Sequence, residues 1–405
     1  MIKTINSCQL CGHERLSSYL DFGYSELANA LKEDSNQQEF GSSLEVLKCE
    51  NSKCGCFQLK HLVSSDILFG GNYNYRSSEG LKKHFKEYAS TTLSNLKLNE
   101  NDLILGIGGN TGILEKEYLE LGMLQVLNVE PAKNISEESR LNGIETFNGF
   151  LNKETSKQIL EKYGKAKLIT ANNCLAHTDL NPIIEAIDIL LTDNGCLVME
   201  NAYWLNTVEN SDAFQIYSEH YKYLTIKSLS NFFNINGFDI FRVEYNQVQC
   251  GSFRAYIKRK ENVLPIEDSV RFAIEKEESF GLYQLNTYKE FQNRLNFIKK
   301  DIQQILINLK KENKKIGLFG VAAKTTLMLK FFDIGQYIDF ATDDSELKHN
   351  KYIPGQKIKI VNQKEFWANK PDCVIPIYNF FDIIIDKNRD KNVKWLRALP
   401  FLEIV

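Results

Sequence analysis

Long apolar segments, a leader-like N-terminus and a large excess of one charge are all missing from this 405-residue chain. No apolar run approaches the ~20 residues that span a bilayer, and MIKTINSCQLCGHE lacks the apolar core of a signal peptide. The net charge of -3 indicates no bulk attraction to nucleic acid or an anionic membrane. We therefore expect a cytoplasmic protein with neither partner, whose nine cysteines are thiols or metal ligands rather than disulfides.

Most cysteines lie near the N-terminus. Cys8 and Cys11 form a C-x-x-C pair, and a second cluster follows at Cys49, Cys54 and Cys56. Two close pairs joined by a longer loop suit tetrahedral zinc. We predict that Cys8, Cys11, Cys49 and Cys54 bind a structural zinc ion, with Cys56 as the competing ligand. Four thiolates would close the metal's coordination, so no chemistry is expected there.

Strand and helix patterns alternate through the rest of the chain, after a helical pattern at 81–96. This alternation favours parallel sheets covered by helices. The first predicted sheet has apolar strands at 102–109, 124–131, 167–173 and 196–203. A charged stretch at about 266–313 predicts a solvated connecting helix. The strand–glycine–helix pattern at 314–332, with strands at 337–344 and 373–379, then predicts a second, smaller Rossmann-like domain.

A glycine-rich loop follows the first predicted strand, at 106–112, and opens a helix. Glycines there permit a tight turn and close approach of a cofactor to the backbone. Glu130, at the end of the next strand, can accept hydrogen bonds from ribose hydroxyls. The combination fits a dinucleotide or S-adenosylmethionine (SAM). The alternative is that the glycines only close a strand–helix turn.

Three clusters mix polar and aromatic residues, at 73–78, 172–177 and 217–223. The second follows a predicted strand, at the carboxyl edge where ligands of open α/β sheets bind. In the third, Glu219 and His220 offer an acid or base beside tyrosine hydroxyls that can stabilise an oxyanion. Arg254 is a candidate phosphate ligand, or else a solvated surface residue.

The motifs occur in a fixed order along almost the whole chain. They are Cys8-x-x-Cys11, Leu27-Ala28-Asn29, Cys54-Gly55, Tyr73-x-Tyr75-x-Ser77-Ser78, Asn110-x-Gly112, Glu130-Pro131-Ala132, Asn173-x-x-Ala176-His177, Tyr217-x-Glu219-His220, Gly251-Ser252-x-Arg254, Gly320-x-Ala322-Ala323-Lys324, Asp343 and Lys351-Tyr352-x-Pro354-Gly355. Together they resemble the three-domain nucleotide-sugar C-methyltransferases. The resemblance implies an α/β chain with a zinc-binding module (1–78), a central Rossmann-like SAM-dependent methyltransferase domain (79–260) and a smaller C-terminal Rossmann-like domain with connecting helices (261–405).

The same resemblance implies a reaction and a set of site residues. A base, His220 or Glu219, removes the proton next to a keto group on a nucleotide-linked hexose, and the resulting enolate attacks the methyl group of SAM. Tyr217, Tyr75 and His177 would orient the sugar or stabilise the enolate oxygen. The implied SAM-binding residues are Gly106, Gly108, Asn110, Gly112, Glu130 and Asn172. The implied substrate-binding residues are Tyr73, Ser77, Ser78, Asn173, Arg254 and Lys324, and we expect the protein to act as a monomer.

Several residues depart from the family pattern. The acid usual at the end of the first strand, which often supports the methionine or ribose end of SAM, is Gly106 here. The first histidine of the family's Tyr-His-Glu-His is Ser218. The loss of the strand acid motivates one alternative, an enzyme that enolises a ketosugar without methyl transfer, such as an epimerase or isomerase. A second alternative is a non-enzymatic zinc module that binds nucleic acid, against which the near-neutral charge argues.

Overall fold

The computed structural model describes residues 1–69, 76 and 79–405. Its N-terminal part contains short antiparallel strands and one short helix, in an arrangement typical of a small module. These elements are β1 (Ile2–Thr4), β2 (Leu16–Glu26), β3 (Gly41–Cys49), β4 (Phe57–Leu59), β5 (His61–Val63) and α1 (Ser65–Phe69). Strand β3 pairs with β2 on one side and with β4 on the other, while β1 and β5 form a separate antiparallel pair.

The central part is a seven-stranded sheet with helices around it. Its elements are α2 (Lys82–Leu96), β6 (Ile104–Ile107), α3 (Ile113–Glu120), β7 (Val126–Glu130), α4 (Lys133–Leu141), β8 (Glu145–Asn148), α5 (Lys153–Tyr163), β9 (Ala166–Asn172), α6 (Leu180–Leu190), β10 (Leu191–Ala202), α7 (Trp204–Glu209), β11 (Lys222–Tyr223), α8 (Ile226–Ile235), β12 (Phe238–Asn246) and β13 (Ser252–Arg259). The strand order is β12-β13-β10-β9-β6-β7-β8. All pairings are parallel except those of β13, which is antiparallel to both neighbours.

The four apolar runs predicted as strands form the middle of this sheet as β6, β7, β9 and β10, which confirms the prediction. All residues of β6 and β7 are buried, as expected for parallel strands covered on both faces. The chain leaves β6 toward one side and β9 toward the other, so the sheet reverses its winding between them. Ligands of open α/β sheets bind at such a switch point, next to the carboxyl ends of the strands.

Strand β11 belongs to a different sheet from its neighbours in sequence. It pairs antiparallel with β4, so that Lys222 lies opposite Gln58, and extends the N-terminal sheet. The backbone of Tyr221 adds two bonds: its carbonyl accepts from Leu59 N at 3.0 Å, and its N–H donates to Ala176 O at 2.8 Å. The segment before β11, which carries the Tyr217–His220 cluster, is thereby held between the N-terminal module and the edge of the central sheet.

The C-terminal part contains a six-stranded sheet in the order β16-β15-β14-β17-β18-β19, parallel except for its last pair. Its elements are α9 (Asp268–Ser279), α10 (Leu285–Lys311), β14 (Ile316–Phe319), α11 (Ala323–Phe332), β15 (Phe340–Thr342), β16 (Ile360–Val361), α12 (Gln363–Ala368), β17 (Cys373–Pro376), α13 (Phe381–Lys387), β18 (Lys394–Arg397) and β19 (Glu403–Ile404). The predicted second Rossmann-like unit is thus present, with its own switch point between β14 and β17.

The charged stretch at 266–313 differs from the prediction of a solvated connecting helix. It forms two helices, α9 and α10, which are interrupted around Gly281, where φ is +76°. Along α10 one face is buried: Tyr288, Phe291, Leu295, Ile302 and Leu306. The many charged residues on the other faces of α10 made the whole stretch look solvent-exposed in the sequence. Among the described helices, none combines the length and the apolar character needed to cross a membrane.

Candidate functional site

Four sulfur atoms come together in the N-terminal module. Cys8 Sγ lies 3.8 Å from Cys54 Sγ, and Cys11 Sγ lies 3.7 Å from Cys49 Sγ. All four lie within 4.8 Å of one another. A tetrahedral ion with metal–sulfur distances of about 2.3 Å requires sulfur atoms about 3.8 Å apart. The residues predicted as metal ligands therefore have the spacing that a tetrahedral thiolate site needs.

Cys56, the competing ligand, is buried outside this cluster, and its thiol donates to its neighbour's carbonyl, Phe57 O, at 3.5 Å. Gly55 turns the chain between Cys54 and Cys56 with φ +61°, a conformation that favours glycine. A Cβ atom at this position would lie 2.8 Å from the ring of Tyr283. The turn therefore requires glycine twice, for its backbone angle and for the close approach of the ring.

A large cavity of about 1910 Å³ opens at the carboxyl edge of the central sheet, and all three parts of the chain line it. The N-terminal module contributes Asn29, the central part the loops after β6, β7 and β9, and the C-terminal part the loop around Lys324. Predicted site residues that line the cavity are Gly108, Asn110, Glu130, Asn172, Asn173, His177, Tyr217, Glu219, His220 and Lys324. The sheet topology therefore unites residues that are almost 300 positions apart in the sequence.

The glycine loop and Glu130 form one wall of the cavity. The carboxylate of Glu130 accepts from Asn110 N at 3.1 Å and from Ala132 N at 2.9 Å, while burial raises its pKa. Gly108 has φ +60°, and a Cβ there would lie 3.0 Å from Cys174 Cβ. Two predicted cofactor residues, Gly106 and Gly112, do not line the cavity, because Gly106 lies inside β6 and Gly112 is the N-cap of α3.

His220 lies at the centre of an aromatic and imidazole cluster. Its ring centroid is 4.2 Å from that of Tyr217 and 4.7 Å from that of His177. Nδ1 of His220 lies 2.7 Å from the carbonyl oxygen of Gln215, and a carbonyl can only accept. This contact assigns the proton to Nδ1 and leaves Nε2 with its lone pair available.

Both histidines are uncharged near neutral pH. Burial lowers the pKa of His220 well below its usual 6.5, and the neighbouring His177 and Lys324 lower it further. Burial likewise lowers the pKa of His177 to about 4. Among the described residues, Nδ1 of His177 has no hydrogen-bond partner, nor does the buried Oδ1 of Asn172. Unpaired buried polar atoms are costly, and both of these atoms belong to residues that line the cavity.

Glu219 is buried beside the histidines and is held by the N-terminal module. Its Oε1 accepts from Asn29 Nδ2 at 2.7 Å. Asn29 belongs to the Leu27-Ala28-Asn29 motif, whose role is not evident from the sequence alone. The contact shows how the N-terminal module positions a candidate acid or base in the cavity.

Lys324 lines the cavity, but its ammonium group is already paired. Its Nζ donates to Asp212 Oδ2 at 3.0 Å, and both side chains are buried. The other oxygen of Asp212 accepts from the hydroxyl of Tyr378. The predicted role of Lys324 as a phosphate ligand competes with this ion pair. No local sequence pattern connects Lys324 with Asp212 or Tyr378, so these two contacts are not evident from the sequence.

Arg254 does not line the cavity, in contrast to its predicted role as a phosphate ligand. Its Nε and Nη2 donate to Glu200 Oε2 at 3.1 and 2.8 Å, and its guanidinium lies 3.9 Å from the ring centroid of Tyr88. Glu200 also contacts His84 Nε2 at 2.6 Å. The buried pair with Glu200 therefore contradicts both predicted environments of Arg254, a phosphate group and a solvated surface.

Four predicted site residues, Tyr73, Tyr75, Ser77 and Ser78, lie outside the described residues.

Comparisons with known proteins agree with these features. A family model described as "C-methyltransferase C-terminal domain" matches residues 247–400, and one described as "putative zinc binding domain" matches residues 8–69. The C-methyltransferase NovU of Streptomyces niveus is 26% identical over 397 residues, which are 96% of this chain and 94% of NovU.

Two solved structures that match part of the chain are described as methyltransferases. Magnesium protoporphyrin IX methyltransferase of Synechocystis with bound SAH is 14% identical, covering 46% of this chain and 90% of that one, with a TM-score of 0.35. A SAM-dependent methyltransferase of Clostridium acetobutylicum is 12% identical, covering 48% and 95%, with a TM-score of 0.36.

The α/β fold, its glycine loop and the matched domains define the class of protein as a methyltransferase. More particularly, the two matched domains and the similarity to NovU are consistent with the three-domain C-methyltransferases, in which a cysteine-rich N-terminal module precedes two Rossmann-like units.

Proposed function

We propose that this methyltransferase moves the methyl group of SAM to a carbon atom of a nucleotide-linked keto-hexose, through an enolate. The observation that carries the proposal is the position of His220. Its available Nε2, the ring of Tyr217 and the unpaired Nδ1 of His177 share one cavity with the glycine loop and Glu130. A base, oxyanion donors and a cofactor wall are the three parts that carbon methylation requires.

The residues at the glycine loop fit SAM. Close approach to the backbone is possible at Gly108, where no side chain intervenes, and Glu130 can accept from the ribose hydroxyls. The unpaired Oδ1 of Asn172, on the adjacent strand end, offers a further acceptor. When bound, SAM supplies a methyl group on a positively charged sulfur atom. The remaining steps fall to this chain's own side chains.

His220 is the proposed base. Its Nε2 takes the proton from the carbon next to the ketone, and the electron pair of that C–H bond becomes the enolate double bond while the carbonyl oxygen gains the charge. With SAM bound, that pair would form the new carbon–carbon bond to the methyl group, and the electrons of the broken carbon–sulfur bond would stay on the sulfur atom. The low pKa of His220 keeps it in the basic form at neutral pH before substrate binds. Glu219, which already accepts from Asn29, is the competing base.

Tyr217 and His177 are proposed to hold the enolate oxygen. A hydrogen-bond donor directed at an oxyanion in a water-poor cavity stabilises the transition state by about 3–4 kcal/mol. His177 is uncharged at neutral pH, so one of its ring nitrogens carries a proton to donate. The C-terminal part, which also lines the cavity, would then hold the nucleotide.

A zinc ion in the four-cysteine cluster is proposed to be structural. Four thiolates leave no open coordination position for a substrate. The ion would fix the module that carries Asn29 and that pairs through β4 with β11, and so would position Glu219 and His220 indirectly.

Turnover assays of two adjacent variants test the proposal. The purified protein is incubated with SAM and candidate keto-sugar nucleotides, and S-adenosylhomocysteine is measured. With His220→Asn we expect turnover to fall at least about 100-fold, the lower end for general-base catalysis, while SAM binding by calorimetry stays nearly unchanged. Glu219→Gln is the matched comparison, expected to retain more activity. Normal turnover in His220→Asn would exclude it as the base, and wild-type protein that neither binds SAM nor forms S-adenosylhomocysteine would overturn the function.

A further inference from the structure

Gly106 leaves space at the end of β6 that another acid fills. A Cβ atom built on Gly106 would lie 1.9 Å from Oε1 of Glu115, and one built on Gly109 would lie 2.4 Å from the same oxygen. Glu115 belongs to the first turn of α3, which follows the glycine loop. Its carboxyl group therefore occupies the place where a side chain of residue 106 would begin.

The carboxyl group of Glu115 is buried, and no ion pair within the described part of the chain includes it. The side chain is 2% exposed, and among the described residues its Oε2 has no hydrogen-bond partner. Among the described residues, the titratable groups whose charges act on it are acidic: Glu130 on β7, Tyr118 on α3 and Cys174 after β9. Burial, and to a smaller extent the charge of Glu130, raises the pKa of Glu115 to about 7. Such a group is stable as a carboxylate only when a cation binds beside it.

We infer that Glu115 supplies, from helix α3, the carboxylate that β6 lacks at Gly106, and that it helps to bind the positively charged part of SAM. This inference rests on the proposed SAM-dependent function. Glu115 does not line the cavity itself, but its Oε1 lies against Gly106 and Gly109, and Gly108 and Asn110 on either side of Gly109 do line it. The methyl donor carries positive charge at its sulfonium and at its ammonium group, whereas its product keeps only the ammonium group. Glu115, nine residues after Gly106, thus takes the place of the acid that is absent from the strand.

The position also explains why two glycines are needed in the loop. Any side chain at residue 106 or 109 would collide with Oε1 of Glu115. Asn128 supports the same arrangement, since its Oδ1 accepts from Gly109 N at 3.1 Å and its Nδ2 donates to Asn110 O at 2.9 Å. The loop is therefore shaped around a carboxylate that comes from the helix instead of the strand.

Calorimetry with SAM and with S-adenosylhomocysteine, in buffers of different ionisation enthalpy, tests the inference. Glu115 must ionise to pair with the ligand, so wild-type protein should release a fraction of a proton on binding near pH 7. Glu115→Gln should weaken SAM binding at least about tenfold, as expected for the loss of a charged hydrogen bond, and should abolish this proton release. Glu117→Gln, a change at another buried acid of the same helix, is the matched control and should leave both unchanged.

A variant that moves the acid from the helix to the strand distinguishes a loss of SAM binding from a loss of folding. The double variant Gly106→Glu/Glu115→Ala returns a carboxylate to the strand and removes the colliding side chain. We expect it to bind SAM more tightly than Glu115→Ala alone, by at least about threefold. If wild-type protein binds SAM while Glu115→Gln binds it equally well with the same proton release, the inference is wrong and the proposed function stands. If wild-type protein does not bind SAM, both are wrong.

Discussion

Lys324 Nζ and Asp212 Oδ2 form a buried ion pair at 3.0 Å that joins the C-terminal Rossmann-like unit to the central one. The lysine follows the glycine turn after β14, and the aspartate lies in the segment between α7 and the Tyr217–His220 cluster. Tyr378, after β17, donates to the same aspartate. The pair thus ties the loops of one sheet's switch point to the segment that carries the candidate base.

Removing one member of this pair should destabilise the protein more than removing both. Lys324→Met leaves Asp212 buried without its cation, a change that typically costs about 3–5 kcal/mol. The double variant Lys324→Met/Asp212→Asn should recover most of that loss. Urea denaturation followed by circular dichroism measures both. A large rise in KM for the nucleotide sugar in Lys324→Met, with unchanged stability, would instead support the role of a phosphate ligand.

If Arg254 pairs with Glu200, replacing it should lower stability, whereas if it contacts a phosphate, replacing it should raise KM for the nucleotide sugar. Arg254→Lys keeps the charge but loses the two-pronged donation to Glu200 and the stacking on Tyr88. We expect a loss of about 1–3 kcal/mol in stability, with KM for the nucleotide sugar changed less than about twofold. A tenfold higher KM at unchanged stability would show that the guanidinium reaches the substrate.

Metal content distinguishes the two cysteines near Gly55. Cys54→Ser removes one of the four clustered thiols and should lower the zinc content of purified protein. Cys56→Ser changes a thiol outside the cluster and should retain it. Elemental analysis by mass spectrometry gives the zinc-to-protein ratio. Loss of zinc in Cys56→Ser, with retention in Cys54→Ser, would reverse the ligand assignment.

His177 should make stability depend on pH in the acidic range. Burial lowers its pKa to about 4 in the folded state, from the usual 6.5, so the unfolded chain binds the proton first as pH falls. The buried neutral His177 is therefore best tolerated above about pH 6.5, and the folded state loses stability as the pH falls from 6.5 toward 4. Between pH 7 and 5 the loss is about 2 kcal/mol. His177→Asn should lack this component, so the difference between the two proteins' urea midpoints should shrink or reverse as pH falls. A constant difference would contradict the shifted pKa.

Much of the fold could be predicted because parallel strands that are buried on both faces consist of short runs of apolar residues, as β6, β7 and β9 do. The four clustered thiols were predictable for a similar reason, since metal ligands come in close pairs along the chain. Contacts between residues that are distant in the sequence could not be predicted in this way. Nothing near Glu115 in the sequence indicates that it fills the gap at Gly106, and no pattern links Lys324 to Asp212. The burial of one face of α10 was hidden by the charged residues on its other face.

The most direct measurement follows an isotopically labelled methyl group from SAM into a keto-sugar nucleotide by NMR. The account predicts a labelled methyl group bonded to a carbon next to the keto group, formed by the wild-type protein and lost in His220→Asn. A labelled methyl group on an oxygen or nitrogen atom, or no transfer to any keto-sugar nucleotide, would contradict it.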